Sequence, residues 1–112
     1  MANNIRSRII QLIDQTLSDI GNNVIDLTPS LQRLEVARDL TIQMFNIEPN
    51  RLERQLGHRD INSIQEADTQ KLYAVNDLES ALLNIDNAIL SQHIRHAIHR
   101  LDLVNDFNHR NQ

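Results

Sequence analysis

Apolar residues along this chain recur at intervals of three and four, the spacing that gathers them on one face of an α-helix. Ile5, Ile9, Leu12, Ile13, Leu17 and Ile20 fall in one broad stripe, predicting a first helix from about Ile5 to Ile20. Asn3 or Asn4 would cap its start and Gly21 would serve its exit. Asn22 to Leu27 reads as a loop with Val24, Ile25 and Leu27 tucked against the core. Thr28 suits the N-cap of a second helix with Pro29 as its first residue, and Leu31, Leu34, Thr41, Ile42 and Phe45 share its inner face. Glu48-Pro49-Asn50 interrupts that helix, because proline lacks an amide donor and disfavours helical geometry in the residue before it. A short helix from Asn50 to Leu56 follows, and Gly57 permits its exit.

Ser63-x-x-Glu66 matches a capping box and opens a stretch without glycine or proline that runs to the C-terminus. One straight helix from Ser63 to Phe107 would be roughly 65 Å long, too long for a compact domain of this size, so it must bend, break or dimerise. Two apolar seams support that expectation. Val75, Leu78, Leu82, Ile85 and Ile89 form one, and Leu90, Ile94, Ala97, Leu101 and Val104 form a second displaced by one residue, which turns the seam by about 100°. A break near Leu90 to Gln92, or a change of packing partner there, is expected. Asn76-x-x-Glu79 offers a further entry point.

Composition agrees with the periodicity. The aliphatic content is mostly Leu and Ile, the aromatics are Phe45, Tyr73 and Phe107, and Gly21, Gly57, Pro29 and Pro49 are too few breakers for a many-stranded sheet. With 112 residues the chain fits one all-helical domain, 1–112, an all-α compact four- or five-helix bundle with a long or broken C-terminal region. The absence of cysteine excludes disulfides, thiolate zinc sites and a cysteine nucleophile. Charges interrupt every apolar run, and the start lacks a signal-peptide core, so no membrane association and a cytoplasmic setting are expected. A net charge of −4 disfavours broad attraction to polyanions. The cations are ten arginines and Lys71. Arginine suits planar, multidentate recognition.

Asn46-Ile47-Glu48-Pro49-Asn50-Arg51-Leu52-Glu53-Arg54-Gln55-Leu56, preceded by the helical run Leu34 to Phe45, resembles the turn and second helix of helix-turn-helix DNA-binding proteins. The resemblance spans residues 34–57. It implies that Ile47 and Leu52 pack beneath the motif while Arg51, Arg54 and Arg59 face DNA, pairing with phosphates or guanine edges.

His93, His96 and His99, interleaved with Arg95 and Arg100, lie opposite Ile94, Ala97, Ile98 and Leu101 on a helical wheel. They read as a solvent- or partner-facing cationic stripe that gains charge as pH falls. Asp102 is the single adjunct at metal-binding spacing, so no metal and no cofactor is expected. Glu35 with Asp39 and Asp102 with Asp106 have helical i to i+4 spacing but no second acidic pair to complete a magnesium cage, and phosphate loops and nucleophile elbows are absent. The chain is therefore expected to be no enzyme. Leu83 and Leu90 sit off the first seam and, with Tyr73, supply more apolar surface than one neighbouring helix covers. The expectation is a helical interaction or regulatory module that binds a protein partner or self-associates as a homodimer. Its candidate surface is Val75, Leu78, Leu82, Leu83, Ile89, Leu90, His93, His96 and His99, and a DNA-binding regulator is the alternative.

Overall fold

A computed structural model describes residues 2–48 and 60–111, and these residues form four α-helices: α1 (Ala2–Gly21), α2 (Thr28–Phe45), α3 (Ile64–Leu83) and α4 (Leu90–Arg110). α3 lies chiefly along α4, α1 along α2, and α2 also meets α4. The α1–α3 seam is the slightest of the four. Arg6 near the start of α1 pairs with Asp86 just beyond α3, while Leu17 and Ile20 near the end of α1 face Asp68 to Val75, so α1 and α3 run antiparallel. A single apolar core joins all four helices, with Ile9, Ile13, Leu34, Leu78, Leu90, Ile94, Leu101 and Val104 fully enclosed.

Local chemistry explains the helix ends, with some departures from the sequence reading. α1 begins at Ala2, so Asn3 and Asn4 lie within the helix instead of preceding it. After Gly21, Asn23 takes the left-handed conformation (φ 55°) expected of the glycine, because its short side chain tolerates αL. Val24 and Ile25 stand exposed, and only Leu27 of that loop reaches the core. Leu27, and not Thr28, occupies the N-cap of α2. Its amide is satisfied from afar: buried Asn105 of α4 accepts it at 2.8 Å and donates to Thr28 Oγ1 at 3.2 Å. Asp19 of α1 accepts from Ser30 Oγ at 2.7 Å and pairs with Arg33, tying α1 to α2. At the other end of α2, Asn46 adopts αL (φ 52°) and returns its amide to the final carbonyls.

The Ser63 cap forms as the sequence predicts. Its hydroxyl accepts the Glu66 amide at 3.1 Å, and the Glu66 carboxylate reaches back to the Asn62 amide at 3.0 Å. Asn76 lies inside an unbroken α3 and starts nothing. The chain turns at residues 84–89, ahead of the expected Leu90 to Gln92, and asparagine makes the turn. Asn84 bonds to Ser80 O through both its amides, Asn87 donates its amide to Asn84 O, and Asn87 Oδ1 accepts the Ile89 amide. The short helix expected at Asn50 to Leu56, with Pro49 and Gly57, lies outside the described residues.

Candidate functional surfaces

α3 has two apolar faces of unequal kind. Its buried residues are Ala67, Ala74, Leu78 and Ala81, and three small alanines let the neighbouring helices approach closely. Three of its large aliphatics stand in water: Ile64, Leu72 and Leu83 are 72%, 70% and 87% exposed. Val75 and Leu82 are half-buried between the two faces. Beside this face, where α1 and α3 separate, an apolar groove of about 590 Å³ is floored by Leu17, Ile20 and Val75 and edged by Leu72, Asp68, Lys71 and Glu79. The Arg6–Asp86 pair (2.8 Å) ties α1 to the α3–α4 turn at the far end. Both groups are solvent-exposed. The guanidinium holds the Asp86 carboxyl below its usual range, and the carboxylate raises Arg6 in turn.

The second surface is a polar cleft of about 650 Å³ between the first half of α3 and the middle of α4. Ile61 and Leu103 contribute its apolar part, and Ser63, Thr69, Gln70, His96, His99 and Arg100 its polar part. Much of this chemistry is committed to the fold. Ser63 and Glu66 cap α3. Arg100 donates to Asp77 at 2.8 Å and to Gln70 at 3.1 Å, with its guanidinium 5.1 Å from the Tyr73 ring, which clamps α4 to α3. Burial lowers the His96 pKa. Asp77 opposes that shift, while Arg100, Arg95 and His93 reinforce it. His96 therefore resists protonation more than an ordinary histidine.

The expected partner surface divides accordingly. Leu83 and Ile89 are exposed, and Val75 and Leu82 are half-buried at the groove side. Leu78 and Leu90 are fully enclosed and belong to the core: Leu78 heads the inward face of α3, and Leu90 is the first core residue of α4. His93, His96 and His99 are half-buried and do not form an outward row, because His96 and His99 line the cleft. Leu72 and Ile64 were missed as surface residues; their large side chains, set against alanines on the opposite face, carried the signal. The Arg100–Asp77 clamp joins residues 23 apart and left no local trace.

Of the helix-turn-helix resemblance, the structure places α2 and the left-handed Asn46, and half-buries Ile47. Arg51, Arg54 and Arg59 lie outside the described residues. Among those described, no group of three metal-binding side chains comes together, and no helix is long and apolar enough to cross a membrane. No known protein family matches the chain, and no characterised protein or solved structure matches it. The described residues form an all-helical bundle in which one helix, α3, leaves large apolar side chains uncovered.

Proposed function

We propose that this protein is a helical interaction module that acts by binding another protein through the outer face of α3, and not by catalysis. One observation carries the reading: α3 turns its alanines inward and leaves Ile64, Leu72 and Leu83 in water. Burying one such side chain stabilises an assembly by roughly 1.5 to 3 kcal/mol, so a partner covering this face gains what the monomer forgoes. The adjoining apolar groove is lined by α1 and α3, and apolar grooves between helices are one setting in which amphipathic helices bind.

Affinity capture from source-cell lysate, with and without nuclease, tests this. The expected result is a nuclease-resistant set of proteins lost with Leu72→Glu and kept with Val36→Glu, a substitution of an exposed apolar residue on α2. Equal capture by both variants would refute it.

A helix-turn-helix regulator is the second reading, favoured by Asn46, which supplies at the end of α2 the left-handed residue that such a turn needs. Arg51→Ala with Arg54→Ala would then abolish retention on DNA at moderate salt with helix content unchanged. Unchanged retention refutes it.

A further inference from the structure

We infer that the occupant of the α3 face is a second copy of this chain, docked with its α3 antiparallel to the first about a two-fold axis through Val75. This rests on the outer face of α3 being a docking surface, and three features name the occupant.

The first is spacing. Leu72, Val75 and Leu82 take apolar positions of the four-three repeat by which two helices interlock along a shared seam, and the acidic Asp68 and Glu79 flank them at the repeat's other positions. The seam runs along the groove, because Asp68, Leu72, Val75 and Glu79 all line it.

The second is shape. A two-fold interface uses one patch on both copies, so the patch must offer both a projection and a recess. Here Leu72 and Leu83 project, and the Leu17–Ile20–Val75 groove lies alongside.

The third is charge. Lys71 and Glu79 stand four residues before and four after Val75, about 6 Å along the helix in either direction. In an antiparallel pair centred on Val75, Lys71 of each copy lies level with Glu79 of the other. A parallel pair would instead set Lys71 against Lys71 and Glu79 against Glu79. Among the described residues Lys71 pairs with Asp68, at 3.4 Å along its own helix, a weak pair that re-forms readily across an interface. The chain's single lysine thus selects the antiparallel arrangement.

Sedimentation equilibrium of the full chain, with circular dichroism as the check on folding, tests the inference. The expected result is a concentration-dependent dimer. Leu72→Glu should weaken it on the order of 100-fold or more. Lys71→Glu alone and Glu79→Lys alone should each weaken it on the order of tenfold, and the double exchange should restore it. Should Leu72→Glu lose helix, Leu83→Glu, at a position almost wholly in water, reads the same interface. A dimer indifferent to the charge exchange overturns the antiparallel arrangement. A chain that stays monomeric yet captures protein through Leu72 overturns the second copy and leaves the interaction surface standing. A monomer with no Leu72-dependent capture overturns both.

Discussion

α3 and α4 are neighbours of almost equal length, 20 and 21 residues, and they bury opposite kinds of side chain. α4 turns Leu90, Ile94, Leu101, Leu103, Val104 and Phe107 inward and keeps charge outside. α3 turns three alanines and Leu78 inward and exposes Ile64, Leu72 and Leu83. A helix whose largest apolar groups all face the core is satisfied by its own fold. One that leaves several large groups in water carries apolar surface that a partner could cover. The difference locates stability on α4 and, on the function proposed above, association on α3.

The contrast breaks most directly at matched leucines. Leu101→Ala, at a fully buried position of α4, should cost about 2 to 5 kcal/mol by chemical denaturation, whereas Leu72→Ala on α3 should change monomer stability by less than about 0.5 kcal/mol. Comparable losses at the two sites would mean that the α3 face belongs to the core after all. Ala74→Leu tests the other half of the comparison. Ala74 is fully enclosed on the inner face of α3, so the added methylenes should force packing apart at about 1 to 3 kcal/mol even though hydrophobicity rises. A neutral or stabilising result would show that the alanines leave room and do not set the helix spacing.

What could be read in advance follows the range of the interactions. The helices of the described region and the Ser63–Glu66 cap depend on residues within one or two turns, and periodicity and capping chemistry expose them directly. The turn at 84–89 lies ahead of the point where the apolar seam shifts, because Asn84 and Asn87, which hold it, are turn formers that a hydrophobic pattern does not register. The displaced second seam did mark α4, but Leu90 opens the core stripe of that helix, so assigning it to a partner surface was mistaken. Which of two apolar faces of α3 points inward is not a local property. Alanine weighs little in a hydrophobic pattern, yet close approach of α4 selects it, and Leu72 is displaced to the outside as a result. Asn105 capping Leu27 and Arg100 clamping Asp77 join distant residues and had to await the fold.

The two helices also start differently. α3 has a side-chain cap at Ser63, whereas Ile89 precedes α4 with none. Ser63→Ala should therefore cost about 1 kcal/mol, measurable as a lower denaturant midpoint with unchanged slope. Ile89→Ala removes no cap, so a loss of similar size there would show that α4 depends on its first residue in a way its hydrogen bonds do not reveal.

The smallest effect expected is a pH dependence confined to the α3–α4 cleft. Burial lowers the folded-state pKa of His96 below the ordinary value of 6.5, with Asp77 pulling the other way. Between those two values the unfolded chain binds a proton that the folded chain refuses. The His96 contribution is thus complete above about pH 6.5 and diminishes as the solution is acidified through that window. Asp26 and Asp86 do not confuse the reading. Asp26 is lowered mainly by hydrogen bonds from Thr28 and Asp86 mainly by Arg6, so both stay ionised there and their contributions are lost only below the ordinary carboxyl range. Because His96 is only half-buried, the effect should be a modest fall in melting temperature between pH 7 and 5. His96→Gln should flatten that fall while leaving the α3 face, and any association through it, unchanged. If the variant instead shifted the association equilibrium, the cleft and the α3 face would be coupled, and the separation between a stabilising α4 and an associating α3 would have to be abandoned.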